Sequence, residues 1–122
     1  MLYIGEGDWA YRHKTHARDA EERMDCTRDC TINCRLTRLV TAIWKAGKTI
    51  CTIRSDQLQK EMGVAMEASI IDLIGLEQLA NVKRGNHRYT KNWSKQRILS
   101  FGNYGIETLY KNYLEDKNKM DF

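Results

Sequence analysis

The sequence contains no proline, the residue that most often breaks a helix interior. It also has no apolar run near the roughly 18 residues that a membrane-spanning helix needs. The first eight residues, 1–8, carry neither a basic n-region nor a long apolar core, so we do not expect a signal peptide. These absences predict a mainly helical, cytoplasmic protein with no membrane contact.

Length and composition are ordinary for one globular domain. The chain has 122 residues, of which 42% are hydrophobic and 30% charged, and this balance argues against wholesale disorder. We therefore predict a single domain over residues 1–122. It divides into a polar N-terminal segment at 1–34, a core at 35–94 and a C-terminal helical region at 95–122.

Acidic residues are missing from one segment of the chain. The net charge is +4, yet residues 81–97 alone carry six basic residues and no acidic one. A segment that holds more than the whole net charge is typical of a surface for an anionic partner.

Apolar spacing predicts the elements of the core. One helix is indicated by a stripe with helical spacing that ends near Gly47, made of Leu36, Leu39, Val40, Ile43 and Trp44. The β-branched run at 49–54 predicts a short strand. Ser55 is placed to cap a two-turn helix at 56–62, which Gly63 would end before a second helix at 65–79.

Two short alternating segments follow, at 79–83 and 87–90. They flank Arg84-Gly85-Asn86, and this arrangement predicts a β-hairpin. Ser94 is placed to cap a final helical region, which we expect to be interrupted near 102–105 and to resume at about 106–117.

The predicted order is helix, short strand, helix, tight turn, helix, two-stranded wing and helix. Over residues 36–93, about half of the chain, this order resembles the winged helix-turn-helix superfamily. The marks that carry the resemblance are the 82–89 wing and the residues around the turn, Leu58, Met62, Gly63 and Val64. The expected fold is mainly α with a small β-hairpin wing and extra N- and C-terminal helices.

That fold, with its basic wing, predicts contact with double-stranded DNA through the phosphates. The expected contact residues are Lys83, Arg84, Asn86, His87, Arg88, Lys91, Lys95 and Arg97. The plainer interpretation is a solvated cationic loop. The helix that should contact bases contains Glu67, Ser69 and Asp72 but no basic residue over 65–76, so it is either largely buried or docked on protein.

Three cysteines recur at four-residue spacing, at Cys26, Cys30 and Cys34. Together with His13 and His16 they form a candidate zinc site, and with Cys51 a candidate iron–sulfur site. The spacing is not the usual Cys-x₂-Cys. Reduced cysteines that line a helix seam are therefore the preferred interpretation, with a redox switch as a further alternative, and no cofactor is predicted.

Catalytic motifs are absent from the sequence. There is no Gly-rich phosphate loop and no Gly-x-Ser-x-Gly. A nuclease-like cluster is conceivable, but no metal or nucleophile motif surrounds its members, His13, His16, Asp19 and Glu22. The sequence therefore predicts a protein that is not an enzyme.

The predicted function is DNA-binding transcription regulation, of the small type found in bacteria, phages or plasmids. An apolar C-terminal face predicts a homodimer through Ile106, Leu109, Tyr110, Tyr113 and Leu114. The alternative is a protein-binding module, such as a phage-encoded inhibitor or adaptor of a host nucleic-acid enzyme, with the acidic 64–80 helix docked on the host protein.

Overall fold

The computed structural model describes residues 3–7, 9–25 and 35–122 of the chain. In this part the protein is mainly helical, as predicted. Its helices are α1 (Trp9–Asp25), α2 (Arg35–Lys45), α3 (Lys60–Ile74) and α4 (Lys95–Leu114), with a 3₁₀ turn at Leu76–Gln78. Its strands are β1 (Cys51–Ile53) and β2 (Lys119–Asp121). None of the described helices is both long and apolar enough to cross a membrane.

The chain divides into two compact units. Unit 1 comprises Met1–Gly7 and Ile53–Lys119, and it contains α3 and α4. Unit 2 comprises Asp8–Thr52 and Met120–Phe122, and it contains α1 and α2. The division of a single domain at residues 34 and 94 stays a prediction.

In unit 2, helix α2 forms where the apolar stripe predicts it. Gly47, at φ 76°, follows the helix end, and its N–H donates to the carbonyl of Trp44 at 2.9 Å. The buried face is shifted, however, because Thr37 and Thr41 are buried whereas Leu39 is exposed. The Thr41 hydroxyl donates to the Thr37 carbonyl at 3.0 Å, so a polar side chain is satisfied within its own helix.

The small sheet is not the predicted hairpin. Strands β1 and β2 pair with each other and run antiparallel. On one side of the pair the Arg54 N–H donates to the Asn118 carbonyl at 3.0 Å, and on the other the Phe122 N–H donates to the Ile50 carbonyl at 2.9 Å. Residues 82–94 contain turns and no strand, so the prediction of a wing at 79–90 is wrong.

Helix α3 passes through Gly63, where the sequence predicted a helix end. The Gly63 N–H donates to the Gln59 carbonyl at 2.9 Å, which is the first hydrogen bond of α3, so the helix starts before Gly63 and includes it. A glycine in a helix interior costs about 1 kcal/mol, which the burial of the following two turns outweighs. Ser55 does not cap this helix, whose N-cap is Gln59. The tight turn of a helix-turn-helix is therefore absent, and the two-helix prediction is wrong.

Helix α4 begins where it was predicted and runs without interruption to Leu114, about three residues short of the predicted end. The Ser94 hydroxyl accepts a hydrogen bond from the Arg97 N–H at 3.1 Å, which confirms the predicted N-cap. The predicted interruption at 102–105 does not occur, because Gly102 and Gly105 are buried positions at which α4 approaches α3. A Cβ on Gly102 would overlap the carbonyl oxygen of Ser69 and lie 2.8 Å from its carbonyl carbon.

Candidate functional site

The N-terminal segment of unit 1 is held by the side chain of one buried residue. The Ile4 N–H donates to Oδ1 of Asn81 at 3.0 Å, and Nδ2 of Asn81 donates to the Ile4 carbonyl at 2.6 Å. Asn81 is only 7% exposed. Because a buried amide needs partners for both of its ends, this pair of bonds fixes Tyr3-Ile4-Gly5 to Asn81, three residues after the end of the 3₁₀ turn at Gln78.

Glu67 is the one charged residue in a buried run of α3. Seven residues between Val64 and Ile71 are buried, and Glu67, which is half-buried, stands among them. A carboxylate loses hydration as it becomes buried, so a charged side chain is uncommon at such a position. The other carboxylates of α3, Glu61 and Asp72, are both exposed. Glu67 is therefore the candidate functional carboxylate of this helix.

The basic segment is a loop fastened to α3. Gly85 lies directly against Ala68, the residue after Glu67, and a Cβ on Gly85 would come within 2.6 Å of the Ala68 Cβ. One turn further along α3, Oδ2 of Asp72 lies 3.0 Å from Nε2 of His87. The loop therefore needs no partner strand, because α3 supplies its contacts.

A short stretch of chain joins Asn81 to the loop residue that contacts α3. Asn81, which holds Tyr3-Ile4-Gly5, is four residues from Gly85, which contacts α3 beside Glu67. Four residues span at most about 14 Å of extended chain. The Tyr3-Ile4-Gly5 segment and Glu67 thus belong to one region of unit 1.

Most of the predicted DNA-contact residues are exposed on this loop and on the start of α4. The exposed ones are Lys83, Arg84, Asn86, Arg88, Lys91, Lys95 and Arg97. His87 is half-buried and has a structural role, since its Nδ1 lies 2.7 Å from Oγ1 of Thr90 and its Nε2 contacts Asp72. Asn86 also shapes the loop, because its Oδ1 accepts from the Arg88 N–H at 2.9 Å. DNA contact by the predicted set stays a prediction.

In unit 2, His13 and His16 lie on α1 and are half-buried. Nδ1 of His13 is 2.8 Å from Oγ1 of Thr52, and its ring meets Phe122 edge to face. Burial lowers the pKa of His16, and the nearby Arg12 lowers it further, so this imidazole is neutral at neutral pH.

The metal-site prediction rests on cysteines of which three, Cys26, Cys30 and Cys34, lie outside the described residues. Cys51 is described and has a reduced thiol. In the described ranges, 3–7, 9–25 and 35–122, no three His, Cys, Asp or Glu side chains come together as a metal site. The interpretations of the cysteine stripe therefore stay predictions.

The predicted protein interface lies on the second half of α4. Tyr110, Tyr113 and Leu114 are exposed, whereas Ile106 and Leu109 are half-buried. The Tyr110 and Tyr113 rings stack with centroids 6.3 Å apart, and Nζ of Lys119 lies 4.6 Å from the Tyr113 centroid. Homodimer formation through this face stays a prediction.

The N-terminal segment lies within the part of the chain that matches a known protein family. Residues 1–120 match the model of the LEM-3-like GIY-YIG domain, so the chain belongs to that family. Tyr3-Ile4-Gly5 reproduces the second triplet of the family name, while the first, Gly-Ile-Tyr, does not occur in this sequence. No curated protein and no solved structure matches the chain.

This membership corrects the functional predictions. The chain is not a winged helix-turn-helix protein, and a regulator of transcription is the wrong class, because the GIY-YIG domain is a nuclease fold. GIY-YIG domains are typically nucleases, so the prediction that the protein is not an enzyme is also wrong. The alternative of a phage-encoded inhibitor or adaptor gains no support. Interaction with DNA is compatible with the family.

Sequence reasoning missed the segment that carries the family likeness. The sequence patterns bear on Tyr3-Ile4-Gly5 only through the absence of a signal peptide, and they place Asn81 in a predicted strand. The available signal is Glu67, the one charged residue in the run 64–71 of α3.

Proposed function

We propose that this chain is a nuclease domain that hydrolyses phosphodiester bonds in DNA. The observation that carries the proposal is the family match over residues 1–120, which includes the Tyr3-Ile4-Gly5 segment held by Asn81. The exposed cations of the loop at 83–91 support DNA as the substrate, because each can neutralise one phosphate.

Hydrolysis of a phosphodiester adds water at phosphorus and breaks one P–O bond, and the departing oxygen takes up a proton. A catalyst must therefore move protons and stabilise the extra negative charge on the phosphate oxygens. In unit 1 the phenol of Tyr3 supplies a group that can donate or accept a hydrogen bond, and Glu67 supplies a carboxylate. We assign Tyr3 to the phosphate and Glu67 to the attacking water or to a cation.

Phosphodiester hydrolysis commonly uses a divalent cation, which oxygen ligands from the protein, the substrate and water can hold. The described residues contain no group of three metal-binding side chains, which excludes a protein-built cage in this part of the chain. Mg²⁺ needs fewer protein ligands than such a cage supplies, because one or two carboxylates usually hold it while water and substrate phosphates complete its coordination shell. Glu67 fits that requirement. A cation held there would lower the pKa of bound water and neutralise charge on the phosphate.

The test is cleavage of supercoiled plasmid DNA by the purified full chain in the presence of Mg²⁺ or Mn²⁺. We expect nicked and linear products, and none after chelation with EDTA. Glu67→Gln should reduce the rate by about a hundredfold or more, the range typical of losing a group that handles a proton or a metal. The matched control is Glu61→Gln, which removes an exposed carboxylate from the same helix and should cleave like the wild type.

Two results would contradict the proposal at different levels. If the wild type leaves the plasmid intact with every divalent cation tried, the chain is not a nuclease on its own. If cleavage occurs and Glu67→Gln cleaves at the wild-type rate, the activity stands but its assignment to Glu67 is wrong.

A further inference from the structure

A second surface of unit 1 combines positive charge with aromatic rings. Residues 78–106 contain six basic residues and no acidic one. Three aromatic side chains, Trp93, Phe101 and Tyr104, lie at the end of this stretch, around the first half of α4. This surface contains neither the Tyr3-Ile4-Gly5 segment nor Glu67, so the proposed catalytic roles leave it unexplained.

The three rings and one guanidinium form a continuous series. The guanidinium carbon of Arg97 lies 4.2 Å from the Trp93 ring centroid, a cation–π distance. Phe101 meets Trp93 edge to face at 5.4 Å and stacks on Tyr104 at 6.2 Å with an interplanar angle of 11°. Each ring therefore contacts the next member of the series.

The series borders a shallow groove that remains open to solvent. The groove is lined by Met62, Trp93, Arg97, Ser100, Phe101 and Tyr104. Tyr104 is 58% exposed and Met62 is 41% exposed, so apolar surface faces water here. Rings that supply flat apolar faces beside cations match a nucleic-acid strand, whose bases stack and whose phosphates carry negative charge.

We propose that this groove binds unpaired bases of a DNA strand. Tyr104 offers the most exposed ring as the stacking face, and Arg97 supplies charge for the adjacent phosphate. Bases inside a duplex are covered by their neighbours on both faces, so only an unpaired segment can stack in this way. The inference rests on the proposed function, because it names the form of DNA that the nuclease would hold.

One residue of the groove, Met62, lies on the same helix as the candidate carboxylate, whereas most of the others lie on α4. Met62, on the groove, precedes Glu67 by five residues of α3, a rise of about 7.5 Å along the helix axis. Five residues also turn the helix by about 140°, so the two side chains project from different sides. The groove is therefore a binding surface distinct from Glu67, and its contribution can be measured without cleavage.

The experiment measures binding by fluorescence anisotropy, with EDTA present to prevent cleavage. The probes are a fluorescein-labelled oligo(dT), which forms no secondary structure, and a duplex of the same length. We expect Tyr104→Ala to weaken binding of oligo(dT) about tenfold, within the range for loss of one stacking platform, and to change duplex binding less than twofold. Tyr104→Phe keeps the ring and should retain the wild-type affinity.

The matched control is Tyr110→Ala, which removes a tyrosine of similar exposure, 61%, from the same helix outside the groove. All variants are compared at a protein concentration at which light scattering gives one common mass. The proposal is overturned if Tyr104→Ala binds oligo(dT) as the wild type does, or if Tyr110→Ala weakens binding equally. Binding that depends on Tyr104 without plasmid cleavage would count against the nuclease alone, and cleavage without such binding would count against the groove alone.

Discussion

Two glycines inside helices are expected to respond in opposite ways to the same substitution. Gly63 lies in α3 and Gly102 in α4, and sequence reasoning treated both as helix breakers. A Cβ at Gly63 would meet nothing within 4 Å, whereas one at Gly102 would overlap the backbone of Ser69. The pair therefore separates the conformational effect of alanine from its steric effect.

At Gly63 only the conformational effect operates. Alanine in place of glycine in a helix interior stabilises by about 1 kcal/mol, because the unfolded chain loses freedom. At Gly102 the same gain is opposed by overpacking, which costs about 3 kcal/mol at the upper end of its range. The upper end applies because the added methyl meets backbone atoms, the Ser69 carbonyl and the Ile70 nitrogen at 3.2 Å, and backbone does not rotate away as a side chain does. The expected net loss at Gly102 is about 2 kcal/mol.

The assay is thermal unfolding followed by circular dichroism at 222 nm. For a chain of this size 1 kcal/mol corresponds to about 4 °C, so Gly63→Ala should melt about 4 °C above the wild type and Gly102→Ala about 8 °C below it. A melting temperature for Gly102→Ala at or above that of the wild type would refute the close approach of α4 to α3. A lower melting temperature for Gly63→Ala would mean that the helix does end at Gly63.

Two further predictions concern charge and pH. The triple variant Lys83→Ala, Arg84→Ala, Arg88→Ala should weaken binding to DNA of every sequence. The slope of log affinity against log salt concentration should become shallower by roughly one unit per lost phosphate contact. An unchanged slope in a filter-binding salt series would exclude the loop as the contact surface. Folding lowers the pKa of His16, mainly because the imidazole becomes buried. At a pH below the pKa of the unfolded chain, about 6.5, the unfolded state therefore binds more protons than the folded state, and the free energy of unfolding falls as the pH drops. The urea midpoint should therefore fall more between pH 7 and pH 5 in the wild type than in His16→Gln. The same fall in both proteins would contradict the role of His16.

Local signals predicted the features that depend on local physics. The end of α2 near Gly47 and the cap of α4 at Ser94 follow from backbone conformation and from one side-chain hydrogen bond three residues away. The mainly α class follows from apolar spacing and is confirmed. The basic composition of 81–97 was also visible in the sequence, although its attachment to α3 as a loop was not.

The remaining features depend on contacts between residues that are distant in the chain. Asn81 and Ile4 are 77 residues apart, and no local pattern marks an asparagine that will hold a backbone segment. Strand β1 pairs with a C-terminal strand of three residues, too short to stand out from its polar surroundings. Gly102 looks like a helix breaker until the carbonyl of Ser69 is placed beside it. Tyr3-Ile4-Gly5 and Glu67 could not be related for the same reason.

The pair of hydrogen bonds between Asn81 and Ile4, here called the clamp, restricts which residues positions 4 and 81 can carry in related chains. Asn81 forms its hydrogen bonds with the backbone N–H and carbonyl of Ile4, so these two bonds require no particular side chain at position 4 and exclude only proline, which has no N–H to donate. Position 81, in contrast, requires a side-chain amide. Aspartate there would set a carboxylate oxygen against the Ile4 carbonyl, and leucine would leave both backbone groups without the amide. Homologous sequences should therefore drift at position 4 while they keep the amide at position 81.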